Sequence, residues 1–121
     1  MKFTETHEWL ELNDGIAVVG VTEHAQKELG DIVYVELPKP GKHVNAGEEI
    51  SVLESTKAAA DVYSPISGTI LEVNEILSEK PELINQSPEA NGWLFKIKPT
   101  NPIELKHLLD EETYKAKFHE L

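Results

Sequence analysis

Apolar and polar residues alternate in short runs along most of this chain, and turn-forming residues cut the runs apart. From Trp9 to Leu12 apolar residues alternate with acids, the period of two that marks a half-buried strand. Asn13-Asp14-Gly15 then supplies a tight turn, and Gly15 to Val21, rich in Val and Ile, reads as a second strand. Thr22 is placed to cap a short helix, with Glu23 near the positive end of its dipole and Gly30 after Leu29 as its stop. Asp31 to Leu37 is a strand of strong β-formers, closed by the turn Pro38-Lys39-Pro40-Gly41. Val44, Gly47 and the run Ile50 to Ser55 predict a further strand pair joined near Asn45-Ala46-Gly47. Val62-Tyr63 and Thr69 to Val73 continue the pattern beyond Lys57, with Pro65 and Gly68 between them, and Trp93 to Lys98 is a late strand.

The period changes near the C-terminus. Asn101 is placed to cap a helix with Pro102 at its first position and Glu104 three residues on, so that Leu105, Leu108 and Leu109 share one face. Tyr114 and Phe118, four apart, predict a last helix. Many short strands at regular spacing predict a mainly β fold, a small sandwich or flattened barrel with peripheral helices.

A chain of 121 residues suits one domain, here expected over residues 1–121. Acids number 22 against 11 bases, a net charge of −11, which disfavours nucleic acid and anionic lipid as partners and favours basic protein surfaces. The absence of cysteine excludes a disulfide framework, a thiolate metal site and a cysteine nucleophile. No apolar run approaches the roughly 20 residues of a membrane helix. Met1 to Trp9 resembles neither a secretion signal nor an organelle transit peptide. The expected location is the bacterial cytoplasm, or the mitochondrial matrix for a processed eukaryotic protein.

A search for catalytic constellations is negative. Gly41-Lys42-His43 lacks the rest of a phosphate loop, and neither a dinucleotide fingerprint nor a Gly-x-Ser-x-Gly elbow is present. His7, His24, His43, His107 and His119 have no metal-ligand spacing, and the last four read as solvated surface residues. No catalytic residue and no metal site are expected. One segment stands out, Leu53-Glu54-Ser55-Thr56-Lys57-Ala58-Ala59-Ala60-Asp61-Val62-Tyr63-Ser64-Pro65. Lys57 lies between two strand-like runs among small residues, so a reversal there would present its amine to a modifying enzyme.

Glu54-Ser55-Thr56-Lys57-Ala58, with Asp61 and Ser64-Pro65, resembles the lipoyl-lysine hairpin of the glycine cleavage system H proteins. His7-Glu8-Trp9, the run from Gly20 to Gln26, Leu29 to Pro38, Ser64 to Gly68, Pro81 to Asn85, Gly92-Trp93-Leu94 and Lys96 to Pro99 are similar to the same family, in order and spacing. The resemblance implies a barrel-sandwich hybrid of the lipoyl/biotinyl kind with short peripheral and C-terminal helices. It implies lipoic acid in amide linkage on Lys57, with Glu54 and Ala58 as hairpin motif residues and Thr6, Glu8 and Asp61 lining a cleft for the aminomethyl-loaded arm. The implied role is non-catalytic. The carrier receives an aminomethyl group from a pyridoxal-phosphate glycine decarboxylase and gives it to a tetrahydrofolate-dependent aminomethyltransferase. A dihydrolipoamide dehydrogenase reoxidises the arm, and lipoate-attaching enzymes are further partners.

Two departures concern the hairpin. Thr56 stands where the family more often has Val, and Ala59 and Ala60 make its flank plainer. An H-like protein that relays lipoyl groups to 2-oxo acid dehydrogenases is an alternative reading. A biotin carrier is disfavoured because its lysine typically lies between methionines, and Met1 is the one methionine here. A dehydrogenase lipoyl domain usually has Asp directly before the lysine and is shorter.

Overall fold

A computed structural model describes residues 1–118. Ten strands run in the order β1 (Lys2–Phe3), β2 (Glu8–Asn13), β3 (Ile16–Val21), β4 (Ile32–Glu36), β5 (His43–Val44), β6 (Glu49–Ser55), β7 (Ala59–Tyr63), β8 (Gly68–Val73), β9 (Phe95–Pro99) and β10 (Leu109–Asp110). Three helices, α1 (Glu23–Leu29), α2 (Leu83–Gln86) and α3 (Glu111–Lys117), lie among them. None of these helices is long and apolar enough to cross a membrane.

Seven strands form one sheet in the order β10-β1-β2-β3-β9-β8-β5, and β4-β6-β7 form another. The fold is therefore mainly β, as expected, with a sandwich of two sheets that stay separate and do not close into a barrel. Leu10, Val19 and Ile97 from the large sheet and Ile32, Leu53 and Val62 from the small one bury their side chains in a common core. Phe3, Trp9 and Tyr114 form a second cluster, where Trp93, Leu109 and Phe118 pack against them.

The local signals work where they act alone. Asn13 pairs with Ile16 across a two-residue reversal, and Asp14 and Gly15 both take positive φ, 50° and 78°. That conformation matches the twist of the flanking strands. Thr22 accepts a hydrogen bond from the Ala25 N–H at the start of α1, and the Gly30 N–H closes the other end on the Gln26 carbonyl. Gly30 has φ 84° and ψ −158°, a region that essentially glycine alone occupies.

Two expectations are corrected. The turn at Asn45-Ala46-Gly47 forms, but it does not join a strand pair. β5 pairs with β8, His43 opposite Thr69, while β6 pairs with β4 and β7 in the other sheet. The Gly47 N–H reaches the Ser64 carbonyl at 2.7 Å, so this reversal carries the chain from one sheet to the other. Near the C-terminus, Pro102–His107 is a 3₁₀ turn without a side-chain cap from Asn101, and Leu109 belongs to β10. Glu104, expected to serve a capping box, instead accepts from the Ser67 N–H at 2.7 Å and the Ser67 hydroxyl at 2.8 Å. Hydrogen bonding to a half-buried loop distant in sequence thus outcompetes the local capping pattern. The last helix forms as α3, which Asp110 caps by accepting from the Thr113 N–H at 2.7 Å. That bond holds the Asp110 carboxyl below its ordinary range.

Candidate functional site

Lys57 stands at the tip of the β6–β7 hairpin, exposed to solvent. The reversal is organised by Ser55. Its hydroxyl accepts from the backbone N–H of Lys57 at 3.1 Å and of Ala58 at 3.0 Å, and donates to the Ala58 carbonyl at 3.1 Å. A single hydroxyl therefore satisfies two backbone N–H groups in the turn and adds a second hydrogen bond to the Ala58 carbonyl. The Ser55 N–H closes the turn on the same carbonyl at 2.7 Å. The Thr56 N–H donates to the Asp31 carbonyl at 3.1 Å and ties the tip to the loop after α1. Lys57 is thus an exposed side chain on a fixed base.

Glu54 and Ala58 flank the tip, and both are exposed. Glu54 lies opposite Tyr34 on one side and Ala59 on the other, so its carboxylate projects from the outer face of the small sheet. Ala58 contributes its backbone to the turn, and its small side chain leaves the neighbouring amine accessible. The organising residue, Ser55, was quoted in the motif without a role. A hydroxyl three residues before a small residue is the pattern of a side-chain-closed turn, and it was the available signal.

A cleft of about 230 Å³ opens between the two sheets beside this hairpin. Thr6, His7 and Glu8 line it from the start of β2 and the segment before it, Ala25, Glu28 and Leu29 from α1, and Ala60, Asp61 and Val62 from β7. Thr6, Glu8 and Asp61, far apart in sequence, are brought to one cavity. Their environments differ. Thr6 and Asp61 are exposed, whereas Glu8 is 1% exposed.

Glu8 is held by donors alone. The hydroxyls of Thr4 and Thr6 each donate to its Oε1 at 2.5 Å, and the Tyr63 N–H donates to Oε2 at 3.2 Å. Each of these three donors favours the ionised form of the carboxyl. Burial acts the other way and pushes the carboxyl above the ordinary glutamate value, against the Thr4, Thr6 and Tyr63 hydrogen bonds. Thr4 was not anticipated, because its position two residues before Thr6 carries no strand or turn period.

His7 sits between these two cleft residues with φ 73°, a costly conformation for a non-glycine residue. Its ring is pinned by three aromatic neighbours. Nδ1 lies 2.7 Å from the Tyr114 hydroxyl, the ring stacks on His24 at 4.2 Å, and Phe118 meets it edge-on at 4.7 Å. Burial, and then the neighbouring His24, hold the His7 imidazole below its ordinary pKa. His24 is accordingly not the solvated histidine expected. It is partly buried, and its Nε2 contacts the Glu28 carboxylate at 2.8 Å. His43 and His107 are exposed as expected, and His119 lies outside the described residues. Trp9, next to Glu8 but pointing the other way, is 2% exposed and donates its indole N–H to the Pro88 carbonyl at 2.9 Å.

The residues fit a lipoyl group attached at Lys57. The amine is accessible, the turn beneath it is fixed, and a cleft with a buried carboxyl group lies alongside.

Known proteins resemble this chain along nearly its whole length. The family model for glycine cleavage H-protein matches residues 1–121. A glycine cleavage system H protein of Thermotoga maritima is 56% identical over 113 residues, which is 93% of this chain and 91% of that protein. One from Vibrio cholerae is 50% identical over 121 residues, covering 99% of this chain and 96% of its own length. The crystal structure of a glycine cleavage system H protein from Mycobacterium marinum matches with a TM-score of 0.89 at 37% identity, covering 96% of this chain and 94% of that one. Sequence and fold lead to one statement: the chain belongs to the glycine cleavage H-protein family.

Proposed function

We propose that this chain is the lipoyl carrier of a glycine cleavage system, with lipoic acid joined by an amide bond to Nζ of Lys57. It takes an aminomethyl group from a pyridoxal-phosphate glycine decarboxylase and delivers it to a tetrahydrofolate-dependent aminomethyltransferase, and a dihydrolipoamide dehydrogenase restores the arm. The chain itself catalyses none of these steps. The observation that carries the reading is the pairing of an exposed lysine on a serine-locked hairpin with an adjacent cleft that buries Glu8.

When bound, the lipoyl group supplies a reversible dithiol that accepts and releases the cargo. The chain's own residues do the rest. Ser55 fixes the point from which the arm swings. The cleft walls Leu29, Ala60 and Val62 exclude water from whatever enters. Glu8 and Asp61 offer carboxylate oxygens to a protonated amine, and Thr6 keeps the Glu8 oxygen aligned. A lipoyl group passed on by a relay carries no positive charge, so a carboxylate beside the cleft would add nothing to its recognition beyond the fastening of the two sheets. Glu8 therefore favours a carrier of cationic cargo over a relay.

Intact mass with peptide mapping, on protein isolated from its native cell, tests the attachment. A lipoyl adduct on Lys57 is expected. An unmodified Lys57 in a cell that lipoylates its other proteins overturns the reading.

Glu8 also gives a pH prediction. Its folded pKa lies above the ordinary value, so its protonation stabilises the fold fully below that value, and this contribution is lost as pH rises through the raised pKa. Cargo holding runs in the opposite sense, because an amine needs the ionised carboxylate. Release of the aminomethyl group from the loaded protein is expected to accelerate as pH falls through the raised Glu8 pKa. Glu8→Gln should speed release at neutral pH by about ten- to a hundredfold, the worth of one charge-assisted hydrogen bond, and flatten the profile. Release rates measured across the acid range decide this, and a Glu8→Gln chain with the wild-type profile removes Glu8 from the cargo site.

A further inference from the structure

The loop that follows α1 meets Lys57 itself. A Cβ placed on Gly30 would stand 3.0 Å from Cε of Lys57, 3.7 Å from its Nζ and 3.8 Å from its Cδ. The lysine stem thus lies in the space that any side chain at position 30 would fill. Gly30 directly follows Leu29, one of the cleft's α1 residues. A stem laid across Gly30 therefore lies against the residue next to the cleft's α1 wall.

Gly30 is held in this place from below. Asn85, in α2, donates from Nδ2 to the Gly30 carbonyl at 2.8 Å and to Oε1 of Gln26 at 3.0 Å. Its Oδ1 accepts from the Ile32 N–H at 2.9 Å. One amide thus spans the end of α1 and the start of β4. The residue between, Asp31, gives its carbonyl to the Thr56 N–H next to Lys57. Loop and hairpin tip are one connected unit.

We propose that Gly30 and Asn85 are positioning residues that form a notch for the Lys57 stem and aim the attached arm into the cleft. The notch rests on the reading of Lys57 as the residue that bears the arm. A free lysine stem has four rotatable bonds to order before anything attached to it can dock. Resting that stem against glycine backbone restricts those bonds in advance and raises the effective concentration of the arm's end at the cleft. Any larger residue at position 30 would push the stem outward.

The first test uses the unmodified protein with ¹³C-labelled lysine. A nuclear Overhauser contact between the Lys57 ε-protons and the Gly30 α-protons is expected, and its absence overturns the notch. The second compares lipoylated wild type with Gly30→Ala and Asn85→Asp. Asn85→Asp keeps the acceptor for Ile32 and removes the donor to Gly30, so it stays informative even if Gly30→Ala folds poorly. Both variants should release the aminomethyl group about three- to tenfold faster than wild type. Reduction of the unloaded dithiolane by tris(2-carboxyethyl)phosphine, which needs no docking, should stay within about twofold. In Asn85→Asp the Lys57–Gly30 contact should weaken in parallel. Wild-type release in both variants, or a contact that persists in Asn85→Asp, overturns the proposal. Failure of lipoate to attach at Lys57, read by intact mass, would defeat the carrier reading and the guiding role together. A lipoylated protein without the contact defeats the notch alone.

Discussion

A Lys57→Ala chain is expected to fold as the wild type does and to support no glycine–bicarbonate exchange with its partner enzymes. The side chain is exposed, and substitutions of that kind usually change stability by less than about 0.5 kcal/mol. The turn beneath it depends on the Ser55 hydroxyl and on backbone groups, which alanine leaves intact. Activity, on the proposed function, requires an amine at this position that can be acylated. Lys57→Arg separates attachment from charge, since a guanidinium keeps the positive charge but presents no amine to form the amide. It should fail as completely as alanine. Thermal melts beside exchange assays check both halves. Exchange at the wild-type rate in either variant would remove Lys57 from the mechanism, and loss of folding would remove the claim that it is merely displayed.

The second large effect concerns stability. Gly68 in β8 lies between Val44 of β5 and Pro99 of β9. A Cβ there would overlap the backbone oxygen of Lys98 and come within 2.8 Å of Cγ1 of Ile97. Neither neighbour yields easily. The oxygen belongs to a strand paired on both sides, and Ile97 is fully buried. Gly68→Ala should therefore cost about 3 kcal/mol, at the upper end for overpacking. For a domain of this size that lowers the melting temperature by roughly 10 °C. The same reasoning gives a milder result at Gly30, where the obstacle is the end of a flexible lysine and the cost comes from φ. A Gly68→Ala protein that melts within about 2 °C of wild type would show that the strand shifts freely.

These two glycines mark where the sequence was legible and where it was not. Gly30 could be placed as a helix stop because capping is decided within one turn of chain. The Asn13–Ile16 reversal and the Thr22 cap were legible for the same reason. Gly68 was read only as a separator, since nothing nearby in sequence announces that the Lys98 oxygen will lie against it. β1 and β10 escaped notice because each has two residues, too few to display a period, and they exist by pairing with each other and with β2. The turn at Asn45-Ala46-Gly47 was visible, but its partners were not, because register between β5 and β8 is fixed by residues more than twenty positions away.

The candidate site divides in the same way. Lys57 could be singled out by its small neighbours and by family likeness. Thr6, Glu8 and Asp61 came from likeness alone, and the structure gathers them at one cavity with only Glu8 buried. Thr4, Ser55, Gly30 and Asn85 act through backbone groups or through other side chains, so their identities meant little until the chain was folded.

Glu8 is fastened to both sheets at once, to the segment before β2 through Thr4 and Thr6 and to β7 through Tyr63. Anyone redesigning this scaffold to ferry a different cargo inherits that double duty. A neutral or basic residue at position 8 would alter the chemistry of the cleft and unfasten the sandwich in one step. Asp61, which faces solvent and is not among the groups that hold Glu8, can be exchanged without that penalty, whereas exchanging Thr6 would remove one of the Glu8 donors. New recognition is therefore best written at Asp61, with the glutamate left in place as a fixed feature around which it must be arranged.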